Sequence, residues 1–425
     1  MCSRRVRFFV GAVLVLLAGV GYAQSDEVEE NFKRLDPAEE QRLRAVLAQP
    51  VPQGVTQKVL STHFWGKVAA ARLLDIGEQA IPFMREAVSL VQDAEMPNYL
   101  ADVLIQAGQF DEAREFRLMA IRTADPYTSA LYFSKFACDQ VNQNRDAAAR
   151  TSLTELDAKV KQLERSASQV WMRWSLLRAT SKGDICRSVL EQRQGKFQLA
   201  GDSAEKAEIS ARQALAITTG QAATVNAAQT VAQSIRRKLE AYVTAGRLYE
   251  AELALADYLR LSREQSLRGQ NLARVYTAAG DLRFAQREFA HAENMAIKAD
   301  QAWERLEVPE SHPRRTNTRR DLVLALIGQK KWSQALQEFD RLDALSGGEL
   351  LRKNQVLYRF VRALVYLGNG RAAQAEPLFK RAAEINSARY GENHFYTAQT
   401  TGLQGVALWR SGTAENKARA LPLLK

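Results

Sequence analysis

The sequence predicts an all-α protein built as a solenoid of stacked antiparallel helix hairpins. The phrase AGRLYEA at residues 245–251 recurs as AGDLRFA at 279–285, an offset of 34 residues. Self-similarity at such a period is typical of helical repeat proteins. Apolar residues recur at spacings of three and four, and no Val-, Ile- and Thr-rich alternating run predicts a strand. Because one hairpin cannot bury its apolar face alone, neighbouring hairpins must stack.

The N-terminus has the pattern of a secretory signal peptide, which we place at residues 1–23. Three arginines precede an apolar run at 8–20, and this run is short for a membrane-spanning helix. Small residues around position 23 predict cleavage between Ala23 and Gln24. The pattern therefore predicts a periplasmic or secreted protein, with an uncleaved anchor as the alternative.

The next segment, residues 24–54, is charged, and its short helix is expected to begin at Asp36-Pro37. Residues 55–200 then predict degenerate hairpins. The stretch LDIGEQAIP at 74–82 resembles the turn of a HEAT repeat, so the first repeats are expected to be HEAT-like or eroded. In the last of these hairpins we expect helices at 170–179 and 184–194, joined by a turn at Lys182-Gly183.

The repeat signal weakens at residues 201–221, which are either a joint between two superhelical halves or a degenerate repeat. Residues 222–425 predict clearer repeats with inserts between them. In the best copy we expect Gly280 to end the first helix and Asp281 to cap the second. The motif AEPLFK at 375–380 returns as ALPLLK at 420–425. The last repeat is therefore expected to be incomplete and to continue in a further segment, with a natural end as the alternative.

The copy around Gly280 resembles the tetratricopeptide repeat (TPR) family. The matching residues are Leu272, Ala273, Tyr276, Gly280, Leu282, Ala285, Phe289 and Ala292. The copy departs from the family pattern at Gly269, near the expected first Trp. The resemblance implies a right-handed superhelix in which the first helix of each hairpin lines a concave groove that accepts an extended or helical peptide.

A second resemblance lies in the linker RYGENHFYTA at 389–398. It is similar to the longer repeats of kinesin light chains and of bacterial TPR proteins with a C-terminal CHAT domain, and its distinctive part covers only residues 375–425. A CHAT domain resembles caspase-type peptidases. The alternative function is therefore a substrate-presenting or regulatory repeat region of a CHAT-type peptidase whose catalytic domain is absent.

The residues that usually carry catalysis are scattered. The four histidines have no metal-ligand spacing, and the sequence contains neither a phosphate-binding glycine loop nor a serine nucleophile motif. Carboxylates alternate with Arg and Lys, which is typical of solvated helix faces. We therefore predict no catalytic, metal-binding or cofactor-binding residue and no cofactor.

Removal of the signal peptide would leave two of the three cysteines, Cys138 and Cys186. In an oxidising compartment such a pair can form a disulfide. The alternative is two buried small side chains on separate helices.

The net charge of +11 raises acidic proteins, anionic membrane and nucleic acid as partners. A secreted protein without an aromatic-interleaved basic stripe argues against nucleic acid. The densest basic cluster comprises Arg314, Arg315, Arg319 and Arg320. It is interpreted either as an exposed insert or as a surface for an acidic segment or anionic lipid.

The leading hypothesis is an exported, non-enzymatic scaffold that binds an unidentified protein or peptide in its groove. Helical phase alone selects the candidate groove residues, which are Arg236, Gln270, Arg274, Asn317 and Arg320. Such Arg and amide groups could hold a peptide carboxylate through charge-assisted hydrogen bonds. A role in envelope assembly is a third hypothesis, and the sequence does not indicate the oligomeric state.

Overall fold

The structure, a computed structural model, describes residues 36–74, 76–91, 94–265, 267, 269–345 and 355–424. In that part of the chain it contains 19 α-helices and no strand. None of these helices is long and apolar enough to cross a membrane. The predicted signal peptide, its cleavage site and residues 24–35 lie outside the described residues.

The helices follow one another with short connections. In chain order they are α1 (Pro37–Ala48), α2 (Gln57–Leu74), α3 (Ile81–Leu90), α4 (Glu95–Gln106), α5 (Phe110–Thr123), α6 (Pro126–Asn142), α7 (Asp146–Glu164), α8 (Val170–Arg193), α9 (Phe197–Ala216), α10 (Gln221–Thr244), α11 (Leu248–Glu264), α12 (Gln270–Ala285), α13 (Phe289–Arg305), α14 (Pro313–Gly328), α15 (Trp332–Leu345), α16 (Gln355–Gly368), α17 (Ala372–Tyr390), α18 (Phe395–Arg410) and α19 (Ala414–Ala420). From α4 onward, each even-numbered helix is the first helix of a hairpin and packs against the odd-numbered helix that follows. Successive first helices from α6 to α16 also pack side by side. The predicted all-α stack of hairpins is confirmed.

Seven of these hairpins have the same type of turn between their two helices. In each, a residue with positive φ follows the first helix, and the next backbone N–H donates to a carbonyl five residues earlier, as from Gln109 to Leu104 at 2.8 Å. This is a Schellman turn, which satisfies the last carbonyls of a helix. The positive-φ residues are Gly108, Asn144, Gly195, Gly246, Arg287, Lys330 and Gly370. The turn takes three residues, so the second helix starts at once and packs antiparallel to the first.

Two glycines that were expected to form turns lie inside helices instead. Gly280 lies within α12, and Gly183 lies within α8. A Cβ at Gly280 would lie 3.3 Å from the Cβ of Met295, and a Cβ at Gly183 would lie 2.9 Å from Leu156. The predicted turns at both positions are therefore wrong, because these glycines permit close approach of a neighbouring helix. Asp281 accordingly caps no helix.

The 34-residue offset is not the structural period in this region. The turn residues Gly246, Arg287, Lys330, Gly370 and Gly412 follow one another at intervals of 41, 43, 40 and 42 residues. The first copy of the repeated phrase contains a turn at Gly246, whereas the second lies within α12. The two phrases are thus similar in sequence but occupy different places in their hairpins.

Residues 201–221 lie within the helical stack. Most of them belong to α9, which packs against α8 and α10. The largest hydrophobic cluster begins at Ala211 and continues through α10 and α11 to Trp303 of α13. Within the segment, Ala204 belongs to a small separate cluster with Ala200 and Ala241, and the preceding cluster ends at Leu190.

The later hairpins stack through an aromatic residue set against a glycine. Phe289 and Trp332 begin the second helices α13 and α15, and Gly328 and Gly368 end the next first helices. A Cβ at Gly328 would lie 2.4 Å from Phe289, and one at Gly368 would lie 2.2 Å from Trp332. The amide of Asn369 also donates to the Trp332 carbonyl at 3.1 Å. Glycine at these positions lets each ring sit directly on the neighbouring backbone.

Side-chain contacts between distant hairpins close the superhelix on itself. Arg44 pairs with Glu307 at 3.0 Å, and Arg389 donates to Asn144 Oδ1 at 2.9 Å. His312 also contacts Glu78. These partners lie 234 to 263 residues apart in the sequence. One superhelical turn therefore takes about that length of chain, and it encloses an inner surface.

Candidate functional site

Charged side chains from distant hairpins locate the inner surface of the superhelix. Lys182 of α8 is within electrostatic reach of Asp102 of α4, Lys135 of α6 and Arg274 of α12. All four residues belong to first helices, and seven other helices separate α4 from α12 in the sequence. Electrostatic interactions between side chains on helices so distant in sequence require that these helices face a common interior. The first helices therefore carry the inner surface.

Below this surface lies the buried side chain of Arg117, on α5, which is 1% exposed. It donates to Asp102 at 2.6 Å and to Asp139 at 3.0 Å, and it also bonds Asn98. Burial opposes the charge of Arg117, but the two carboxylates outweigh burial and raise its pKa. Burial likewise opposes the charge of Asp102, but Lys135 and Arg117 hold its pKa well below the usual range. The network fixes α4, α5 and α6 together.

A group of four cations, which we name the inner basic cluster, lies beside this network. It consists of Lys135, Arg178, Lys182 and Arg274. Burial, with Lys135, Arg178 and Arg274, lowers the pKa of Lys182 to about 7, although Asp102 opposes the shift. Burial also lowers the pKa of Lys135, to about 8, against the pull of Asp102. Within the described chain, Lys182 bonds the amide of Gln233 and makes no salt bridge.

Two members of the cluster stand on helices that a disulfide joins. Cys138 of α6 and Cys186 of α8 are bonded, with their Cα atoms 5.5 Å apart. Lys135 and Lys182 lie about one helical turn before these cysteines on the same two helices. The disulfide therefore fixes the spacing of the helices that carry the two lysines.

The five residues selected from helical phase are distributed over α10, α12 and α14. Arg236 pairs with Glu240 at 2.5 Å, Arg274 donates to Gln270 at 2.7 Å, and Arg320 donates to Asp321 at 2.6 Å. The structure brings Arg274 into the inner basic cluster. Arg236 and Arg320 instead lie within electrostatic reach of Asp281. Asn317 is exposed on α14.

A pair of carboxylates, Asp281 and Asp321, forms a second charged group on first helices. Both line a cavity of about 40 Å³ between α12, α13 and α14. Burial raises the pKa of Asp281 well above its usual range, and Asp321 adds to this rise while Arg320 and Arg236 oppose it. Burial also raises the pKa of Asp321. A proton on this pair relieves the repulsion of two nearby negative charges.

The dense arginine cluster on α14 is not a free basic surface. Arg315 and Arg319 are about 7% exposed and both donate to Asp300, at 2.8 and 3.0 Å. Arg319 also bonds Glu310, and Arg314 stacks over the ring of Trp303. Both interpretations of the cluster, an exposed insert and a surface for an acidic segment or anionic lipid, are therefore wrong for Arg315 and Arg319, because carboxylates of the same chain hold these buried guanidinium groups.

Histidines have structural contacts in the part of the chain that the structure describes. His312 and His394 accept a backbone N–H at the start of α14 and α18 through Nδ1, at 3.0 and 3.2 Å. Among the described residues, no group of three or more His, Cys, Asp or Glu side chains could hold a metal ion.

Three members of the inner basic cluster were not among the residues predicted from the sequence. Lys135 and Arg178 were not selected, and Lys182 was assigned to a turn. Arg178 and Lys182 are four residues apart and so share one face of a helix. That signal becomes visible only when α8 is read as one continuous helix.

No family model matches the chain, and no curated protein matches it. Solved structures give matches in fold. One is the apo form of RapI, with 12% identity over 69% of this chain and 96% of that one, and a TM-score of 0.44.

A second match is a signal transduction ATPase with a tetratricopeptide repeat sensor from Pyrococcus horikoshii. It has 13% identity over 90% of this chain and 55% of that one, with a TM-score of 0.44. The TPR domain of P58(IPK) matches with 12% identity over 91% of this chain and 99% of that one, at a TM-score of 0.28.

Proposed function

We propose that this chain is an exported, non-enzymatic scaffold that binds a segment of another protein on the inner surface of its superhelix. The observation that carries the proposal is the convergence of charged side chains from hairpins that are distant in sequence. Stacked hairpins expose such a surface continuously along the solenoid. A surface of this kind suits an extended segment better than a small molecule, which needs an enclosed apolar pocket.

Export is proposed on the signal pattern at residues 1–23. The disulfide between Cys138 and Cys186 supports it, since disulfides persist in oxidising compartments. A fusion to a phosphatase that is active only outside the cytoplasm provides the test. We expect activity from the full chain and loss of activity when residues 1–23 are deleted. Activity that survives the deletion would contradict export through this segment.

Photo-crosslinking tests the binding surface. A photoreactive side chain replaces Gln233, which bonds Lys182 on the inner surface, or Ile209, which is exposed on the second helix α9. We expect a discrete crosslinked protein from position 233 and none from position 209. Crosslinks from position 209 alone, or from both positions equally, would overturn binding on the inner surface.

The alternative, a regulatory repeat region of a CHAT-type peptidase, rests on the linker at 389–398. In the structure Arg389 of this linker donates to Asn144, and His394 accepts a backbone N–H at the start of α18. These contacts give the linker a role within the repeat stack that needs no peptidase. We therefore favour the scaffold.

A further inference from the structure

We propose that a cavity between two second helices binds a small neutral ligand rich in hydroxyl groups, such as a sugar ring. The cavity has a volume of about 220 Å³ and lies between α13, α14 and α15. Its lining includes Ala296, Ile297, Asp300, Gln301, Arg319 and Leu322. Because α13 and α15 are second helices, this site is separate from the inner surface, which the first helices carry.

The first support is a buried donor without an acceptor, on Arg319. This side chain is 7% exposed, and its Nη groups bond the carboxylates of Asp300, Glu310 and Glu338. Its Nε–H is also buried, and it donates to no acceptor in the part of the chain that the structure describes. Such a donor is costly and rare in folded proteins. A ligand atom in the cavity that Arg319 lines would supply the acceptor.

The second support is the balance of charge around the cavity. Three guanidinium groups are paired with three carboxylates, namely Arg315 and Arg319 with Asp300, Arg319 and Arg341 with Glu310, and Arg319 with Glu338. An ion that entered the cavity would lose its hydration and find no unpaired counter-charge in this network, which is unfavourable. The site therefore suits a neutral ligand.

The third support is that the polar groups of the cavity match a hydroxyl group. The guanidinium of Arg319 only donates, whereas the carboxylate of Asp300 only accepts. Arg315 and Arg319 donate three hydrogen bonds to Asp300, which leaves one of its roughly four acceptor sites. One hydroxyl oxygen both accepts and donates, so it can join Nε–H of Arg319 to Asp300. The exposed amide of Gln301 offers a further donor and acceptor.

The size and the apolar part of the cavity limit the ligand to about one small ring. At about 30 Å³ per molecule, 220 Å³ holds roughly seven waters, and drug-sized ligands need about 300 Å³ or more. Ala296 is buried and Leu322 is half-buried, while Ile297 is 40% exposed. These aliphatic side chains can pack against the C–H groups of a sugar ring.

Saturation-transfer NMR with the methyl glycosides of glucose, galactose and mannose tests the inference on the full chain with its disulfide intact. We expect at least one glycoside to bind. Ala296→Leu enlarges a side chain that lines the cavity and removes none of the ion pairs, so it should raise the dissociation constant about tenfold or more. The matched control is Ala290→Leu, an exposed position on the same helix, which should leave the dissociation constant unchanged.

Two measurements exclude unfolding as the cause of lost binding. The melting temperature of Ala296→Leu should equal or exceed that of the native protein, because filling a cavity generally stabilises a fold. Ile297→Trp is the second variant. Its side chain is 40% exposed, so the larger ring covers the cavity without repacking the core, and binding should weaken here as well.

Three results would overturn the inference. The first is that no glycoside binds, or that Ala296→Leu and Ala290→Leu lose binding equally. The second is tighter binding of glucuronate or glucosamine, which would refute a site for neutral ligands. The third is N-methylacetamide that competes as well as the glycoside, which would indicate a site for a peptide amide.

The outcome is distinguishable from that of the scaffold proposal. Because the cavity is separate from the inner surface, a photoreactive group at position 233 should capture its partner equally in Ala296→Leu and in the native protein. If that group captures a partner while no glycoside binds, the scaffold proposal stands and the cavity is not a sugar site.

Discussion

At the scale of single residues, Arg117 forms buried ion pairs with two helices of the first hairpins. Its side chain is 1% exposed and bonds groups from α4 and α6. Its loss would leave Asp102 and Asp139 buried without the guanidinium that both contact directly. Removal of one partner from a buried ion pair is far more damaging than removal of an exposed pair, because the remaining charge is left desolvated.

We therefore expect Arg117→Met to lower the free energy of unfolding by about 3–5 kcal/mol. Urea denaturation followed by circular dichroism measures it. The matched variant Arg42→Met, which removes an exposed guanidinium from α1, should leave the midpoint unchanged. Equal midpoints for the two variants would contradict the assigned network.

The carboxylates Asp281 and Asp321 lead to a prediction about how stability depends on pH. The pKa of Asp281 is raised in the folded state, so the folded protein binds the proton more tightly than the unfolded chain. Stability therefore falls as pH rises from the unfolded value, about 3.9, through the raised folded value.

Asp281→Asn should accordingly be more stable than the native protein at pH 8, and the difference should shrink toward pH 4. Thermal melting across this range is the measurement. Asp257→Asn provides a contrast, because Arg260 and Arg212 outweigh burial and lower the pKa of that carboxyl. A larger gain for Asp281→Asn at pH 4 than at pH 8 would refute the raised pKa.

At the scale of helices, the Schellman turn defines the repeat, and it explains what the sequence could reveal. Gly108 and Gly246 occupy such turns, where glycine tolerates the positive φ. Arg287 and Lys330 occupy the same position of their turns. Because neither is a glycine, the residue type did not indicate a turn there. Gly183 and Gly280 misled the interpretation, since they serve contacts between helices. Helix type was thus predictable, whereas tertiary packing decided which glycine made a turn.

The turn at Arg287 yields a prediction that distinguishes a turn from a helix interior at this residue. A non-glycine residue in the left-handed region costs about 1–2 kcal/mol, so Arg287→Gly should leave stability unchanged or raise it by up to about 1 kcal/mol. Asn294→Gly, in the exposed middle of α13, should lower it by about 0.5–1 kcal/mol. Urea midpoints decide the question. An equal loss of stability in both variants would indicate that residue 287 lies inside a helix and not in a turn.

The disulfide acts at the same scale, because it joins the neighbouring first helices α6 and α8. It closes a loop of 48 residues, for which the chain-entropy relation gives about 4 kcal/mol. Cys138→Ser with Cys186→Ser should therefore lower the melting temperature and weaken capture of the partner by a photoreactive group at position 233 together. Dithiothreitol should reproduce both effects in the native protein and neither in the variant. A variant that matches the native protein in both would contradict this role.

At the scale of the whole molecule, the superhelix closes through a few polar contacts between distant hairpins. Arg44 with Glu307 is a largely exposed pair, and such pairs contribute little to stability. The stack of hairpins rather than these contacts holds the shape. The sequence predicted this stacked architecture. The inner basic cluster could not be predicted from the sequence. Its members lie up to 139 residues apart (Lys135 to Arg274), and only the winding of the superhelix brings them together.

The central claim is that the inner surface of the superhelix is the binding surface, and photo-crosslinking at matched positions tests it most directly. A photoreactive group at Gln233, which bonds Lys182 on the inner surface, should capture a discrete partner protein, whereas one at Ile209, exposed on the second helix α9, should capture none. Capture from position 209 alone, or equally from both positions, would contradict binding on the inner surface.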